Sequence, residues 1–112
     1  MRKDDLVYVG HILEIAQKIQ DRLKDKNRAD FNADEDFRIV LTHLVQIIGE
    51  AASHISPEFR EKYPGIPWKA IIGMRHRVVH DYFNVDEDIL WRTVTYELKP
   101  LVKELEKIPR EE

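Results

Sequence analysis

Asp34-Glu35-Asp36-Phe37-Arg38-Ile39-Val40-Leu41-Thr42-His43-Leu44-Val45-Gln46-Ile47-Ile48-Gly49-Glu50-Ala51-Ala52-Ser53-His54-Ile55 carries a broad apolar face. Phe37, Val40, Leu41, Leu44, Ile47, Ile48, Ala51, Ala52 and Ile55 recur three and four apart, and Ile39 and Val45 widen the stripe. That spacing predicts a helix, because positions three and four apart stack on one side of a 3.6-residue turn. The face is wider than one packed neighbour needs. Either a partner chain covers part of it, or the helix lies at the centre of its own bundle. Gly49, Ala51, Ala52 and Ser53 are small enough for another backbone to approach closely.

The same period continues on both sides. Val9, Ile12, Leu13, Ala16, Ile19 and Leu23 predict a first helix over roughly residues 3–26, with Asp4 and Asp5 at the end where the helix dipole favours negative charge. Residues 25–36 are polar and read as a loop, with Asn32 or Asp34 capping the helix that follows. Ser56-Pro57 suits the start of a short helix that Pro64-Gly65 ends. A further helix is expected from about Pro67 to near His80, with Trp68, Ile71, Ile72, Val78 and Val79 on its core side. Asn84 or Asp86 caps the last, over about residues 86–108, striped by Leu90, Trp91, Val94, Leu98, Leu101, Val102 and Leu105. Pro100 falls inside it, so a kink is expected near residues 96–99. With four Gly, five Pro and no sustained period-two alternation, the fold class expected is all-α, built on one domain over residues 1–112.

Composition excludes several functions. Hydrophobic residues at 43% and charged residues at 35% describe a globular chain. No cysteine is present, which rules out a disulfide framework and a zinc-thiolate site and fits a reducing, cytoplasmic setting. Charges recur too often for a signal peptide or a membrane span. A net charge of −3 is the wrong sign for a protein that coats nucleic acid, so any polynucleotide contact must be local.

Chemistry concentrates in Met74-Arg75-His76-Arg77-Val78-Val79-His80-Asp81-Tyr82. Histidine suits proton transfer near neutral pH, and arginine grips phosphate through its fork of donors. Together they point to a phosphodiester. On a continuous helix His76 and His80 would share a face, while Arg75 and His80 would stand roughly 140° apart. Arg75 would then fall on the core side, where an unpaired guanidinium is costly. Either it reaches along a cleft to a phosphate or carboxylate, or the helix deforms near His80. A buried pair between Arg75 and Glu50 that sets helix packing is the competing structural reading, and it is compatible with catalysis.

Arg75-His76-x-x-x-His80 resembles the signature of the HEPN superfamily, and Tyr82 extends it to Arg-x4-His-x-Tyr, the form of HepT-like toxins. Ile48-Gly49-Glu50-Ala51-Ala52, Ile66-Pro67-Trp68, Ile72-Gly73-Met74-Arg75, His80-Asp81-Tyr82-Phe83 and Trp91 resemble the same family, across nearly the whole chain. One departure is His76, where asparagine is commoner. The resemblance implies a four- to five-helix up-and-down HEPN bundle, paired as a homodimer whose two motif copies face one cleft. It implies a metal-independent endoribonuclease acting on RNA, the toxin of a toxin–antitoxin pair, with Arg75 and His80 as its catalytic residues; from the residues themselves, His76 and Asp81 are expected to support them and Glu50 to orient Arg75. It also implies a minimal nucleotidyltransferase antitoxin that adds AMP to Tyr82, in a hetero-oligomer with the dimer. The alternative is a non-catalytic HEPN subunit that docks the nucleotidyltransferase and is modified by it.

Other side chains have plainer readings. His76 and His80 have the spacing of a metal-binding pair, but no third ligand is placed, so neither metal nor cofactor is expected. His11, His43 and His54 read as structural or surface histidines, and Trp68 and Trp91 as core or dimer contacts. Asp34-Glu35-Asp36 and Asp86-Glu87-Asp88 stand at helix starts, where capping accounts for them.

Overall fold

The computed structural model describes residues 3–81 and 84–109, without the side chains of Lys3, Arg75, Val79, His80, Asp81 and Asn84. The described elements run α1 (Lys3–Leu23), α2 (Arg28–Ala33), α3 (Glu35–Ser53), α4 (Pro57–Lys62), α5 (Trp68–Ile72), α6 (Met74–Val78), β1 (Val79–Asp81), β2 (Asn84–Val85), α7 (Glu87–Arg92), a π-helical turn (Thr93–Glu97) and α8 (Leu98–Glu106). The fold is all-α apart from the two-stranded antiparallel ribbon β1–β2. Among the described residues no helix is long and apolar enough to cross a membrane.

Helix α3 is the centre of the bundle, with α1 along one side and α5 and α6 against another. Its Leu41, Leu44, Val45, Ile48, Ala51 and Ala52 are buried with Val9, Ile12, Ala16 and Ile19 of α1. The broad apolar face is therefore covered mostly by the chain's own helices. Ile39, 58% exposed, and Val40, 36% exposed, are left at the surface. Trp68 is buried in the core and its Nε1 donates to the Tyr63 carbonyl at 3.0 Å, while half-buried Trp91 packs against the core with its ring centroid 5.0 Å from that of Phe31.

Three expected caps form. Asp34 accepts from the Phe37 N–H, Ser56 from that of Phe59 and Asp86 from that of Ile89. The C-terminal end of α3 is closed by Arg60, whose Nη2 donates to the Ala52 and Ser53 carbonyls. Asp5 does more than meet a helix dipole. It is buried, and its carboxyl accepts from both the N–H and the hydroxyl of Ser56 at 2.8 Å, tying α1 to the turn between α3 and α4. Asp5→Ala strands two buried donors and is expected to cost about 2–3 kcal/mol, measured as a lowered urea midpoint at constant slope. A loss under about 0.5 kcal/mol would place Asp5 among ordinary surface sites.

Two expectations are corrected, and a third, the disturbance near residues 96–99, takes the form of a π turn that begins at Thr93. The polar stretch after α1 is not all loop. Asn27 and Asp30 form a capping box, each side chain accepting from the other's N–H at 2.9 Å, and α2 follows. The helix expected to reach His80 is divided at Gly73 and stops at Val78, where the chain turns into the ribbon. The disturbance from Pro100 lies upstream of residue 98, as a π turn in which the Leu98 N–H reaches the Thr93 carbonyl. Proline offers no N–H and its ring crowds the carbonyl four residues back, at Tyr96. One extra residue per turn accommodates this without ending the helix.

Candidate active site

Met74 and Val78, four apart on α6, are both buried and seat the short helix on α3. Its start is set at Gly73, whose carbonyl accepts from the N–H groups of His76 and Arg77 at 3.0 and 3.1 Å. A Cβ at Gly73 would stand 3.1 Å from the Lys69 carbonyl, so the α5–α6 junction is tight enough to favour glycine. Its end is set at Val78, whose carbonyl accepts from the Asp86 N–H at 2.7 Å. Asp86 also caps α7, so one residue closes the ribbon and starts the next helix.

Arg75 thus stands on α6 and His80 on β1, on the two sides of a helix-to-strand change. This corrects the shared helical face of His76 and His80. An i, i+4 relation requires unbroken helix, and the helix ends two residues before His80. The helix does deform before His80, as one of the two arrangements expected around Arg75 requires. His76 is exposed on α6. Asp81 pairs with Asn84 across the ribbon and Val79 with Val85, with a bulge between the pairs. Tyr82 lies outside the described residues, and so do the side chains of Arg75, His80 and Asp81. The expected Arg75–Glu50 pair is therefore an arrangement of side chains beyond the description.

Glu50 is exposed on α3 and its Oε2 lies 3.1 Å from Nε2 of His54. His54 in turn stacks on Tyr8, with ring centroids 5.2 Å apart, and Tyr8 meets His11 edge-on. The histidines of α1 and the end of α3 thus belong to a surface aromatic cluster. Among the described residues no group of three or more His, Asp or Glu could hold a metal ion.

A groove of about 400 Å³ runs beside the ribbon, lined by Arg38, Ile39, Thr42, His43 and Gln46 of α3 with Val85 and Glu87. Exposed Ile39 stands on its wall, so the uncovered part of α3 adjoins the strand that pairs with the motif. Two contacts escaped sequence reasoning. Arg77 Nη2 donates to Glu97 Oε2 of the π turn at 3.1 Å, and Arg38 Nε lies 3.4 Å from Glu87 Oε2 at the start of α7. Neither partner is within reach along the sequence, and no local pattern announces such a pair.

Residues 12–108 match the protein family described as "Ribonuclease HepT-like". Among curated relatives, the "Gamma-glutamylcyclotransferase and putative RNase" of Methanocaldococcus jannaschii is 39% identical over 99% of this chain, which spans 50% of that protein's length. A "Putative RNase" of Caldanaerobacter subterraneus subsp. tengcongensis is 36% identical over 94% of both chains. The "Probable ribonuclease HepT" of Thermococcus cleftensis is 31% identical over 96% of this chain and 98% of its own. No solved structure matches the chain.

Proposed function

The chain belongs to the HepT-like ribonuclease family, and from that premise we propose that it is a metal-independent endoribonuclease whose reacting groups are Arg75 and His80. The observation that carries the reading is the backbone at the motif. Two residue types suited to phosphodiester cleavage stand on either side of a helix-to-ribbon change that hydrogen bonds at Gly73 and Asp86 hold at both ends. A site restrained in this way meets the demand that reacting groups be placed before substrate arrives.

In the proposed reaction, His80 removes the proton of a ribose 2′-hydroxyl. The 2′-oxygen attacks the adjacent phosphorus, the bond to the 5′-oxygen breaks, and that oxygen takes a proton as it leaves. The products are a 2′,3′-cyclic phosphate and a 5′-hydroxyl. Arg75 stabilises the negative charge that grows on the phosphoryl oxygens. His76 orients RNA or assists proton transfer, and Asp81 and Glu50 support the arginine and histidine.

A second copy completes the site, its His80 acting as the acid where the first acts as the base. Exposed Ile39 of α3, on the wall of the groove beside the ribbon, supports this reading as apolar surface that such a copy would cover. A minimal nucleotidyltransferase serves as antitoxin by transferring AMP from ATP to the Tyr82 hydroxyl, which loses its proton as pyrophosphate leaves. The added phosphate and nucleoside block RNA by bulk and by charge repulsion.

The test is incubation of purified protein with RNA in EDTA. Fragments ending in 2′,3′-cyclic phosphate are expected. Intact RNA would remove the enzymatic reading and favour a docking subunit for the nucleotidyltransferase. The net charge of −3 speaks for that second reading, because RNA affinity leans on phosphate contacts. Mass spectrometry of protein co-expressed with a nucleotidyltransferase is expected to show AMP on Tyr82; unmodified Tyr82 would remove the proposed silencing.

A further inference from the structure

Arg77 lies between the two motif residues in sequence, on the helix that carries Arg75, and its guanidinium is held by Glu97, twenty residues away. The side chains are 41% and 34% exposed. An ion pair as open as this adds little to global stability, because water screens it and two long side chains must be ordered to make it. Its value must therefore be sought in what it orients.

The element that presents Glu97 is unusual. It is the last residue of the π turn, and π turns interrupt the regular ladder and are frequent at functional sites. In this one the hydroxyl of Thr93 is buried with no partner among the described residues. Pro100 supplies the local reason for the turn, since a proline there is incompatible with a regular bond to Tyr96. An unfavourable turn and a solvent-screened ion pair thus converge on one short helix. That helix has only five residues, too few to hold its shape through its own hydrogen bonds.

We propose that Glu97, presented by the π turn, is a positioning residue: it holds Arg77, and through Arg77 the helix α6, so that Arg75 keeps a fixed place relative to His80. This rests on the reading of Arg75 and His80 as the reacting groups. Glu97 touches neither RNA nor the reacting atoms; it acts through the backbone that Arg77 shares with Arg75.

The competing assignment makes Arg77 a phosphate ligand that Glu97 merely neighbours. Steady-state cleavage by Glu97→Ala and Glu97→Gln separates the two. Under positioning, Glu97→Ala lowers kcat by about tenfold or more. KM for RNA then stays within about twofold, and Glu97→Gln, which retains an acceptor, recovers part of the rate. Under the competing assignment, Glu97→Ala frees a cation for RNA, so KM falls and kcat holds; that result overturns the proposal.

Amide hydrogen exchange gives a readout that does not need activity. In Glu97→Ala the amides of α6 are expected to exchange about tenfold faster, while those of buried α3 residues keep their rates. Unchanged exchange in α6 overturns the proposal. Should wild-type protein leave RNA intact, the ribonuclease reading fails by that result, and the exchange measurement still decides whether Glu97 holds α6.

Discussion

His80→Ala is expected to slow RNA cleavage by about a hundredfold to ten-thousandfold, the range that a positioned general acid or base contributes. Arg75→Ala is expected to cost about a hundredfold to a thousandfold, as the loss of one preorganised donor to the charge developing on phosphorus. The two losses should not add. In the proposed reaction both residues act on the same phosphodiester, and once one is gone the other has less of the same transition state to stabilise. The double variant should therefore be little slower than His80→Ala. Initial rates on one RNA in EDTA, with thermal unfolding run on the same samples, check this. Cleavage at the wild-type rate by His80→Ala would end the assignment of His80. A mixed preparation of Arg75→Ala and His80→Ala chains adds a sharper reading. If the two copies share one cleft, a mixed dimer keeps one Arg75 and one His80 and recovers part of the activity that each parent has lost.

Phe31→Ala is expected to cost about 3–5 kcal/mol, the range for removing a buried aromatic ring whose site cannot collapse. Phe31 is fully buried although it sits in a polar six-residue helix. Its ring lies 5.0 Å from Trp91 of α7 and 6.4 Å from Phe37 of α3, and Arg28 stands over it at 5.4 Å. It is the one buried residue of α2, so without it the helix has no apolar anchor. Against a total of about 5–15 kcal/mol for a domain, this loss should lower Tm by about 10–20 °C. Phe31→Leu, which keeps most of the volume, should cost markedly less. A loss under about 1 kcal/mol in Phe31→Ala would show that α2 is a surface appendage.

The effect should also reach the candidate active site. Arg28 of α2 donates to Asp88 at 2.7 Å, and Arg38 donates to the Phe31 and Asn32 carbonyls while pairing with Glu87. Glu87 and Asp88 follow Asp86, the residue that closes the motif ribbon. Loosening α2 therefore loosens the exit from that ribbon.

Much of the fold was readable from neighbours along the chain. The helical periods of α1, α3 and the α7–α8 rod, and the caps at Asp34, Ser56 and Asp86, depend on residues within a turn or two of one another. The motif from Arg75 to Tyr82 could be found in the same way, because it is a pattern of residue types at short spacing. Where α6 ends was not readable so. Val78 and Val79 look alike as helix formers, and the helix stops between them because the Asp86 N–H takes the Val78 carbonyl. A backbone partner eight residues away outweighed local propensity, and it moved His80 off the helical face that its spacing to His76 suggested.

The helix α2 shows the same division. Asn27 and Asp30 write its start locally, yet Phe31 as a lone apolar residue gave no periodic signal. Six residues make a helix there because the ring is taken up between α3 and α7. Asp5 with Ser56, Arg77 with Glu97 and Arg38 with Glu87 likewise join residues 51, 20 and 49 apart. Periodicity and capping are properties of adjacent residues, and a linear chain displays them openly. Pairing at such separations depends on where packed helices bring their surfaces together, and that information exists only once the chain has folded.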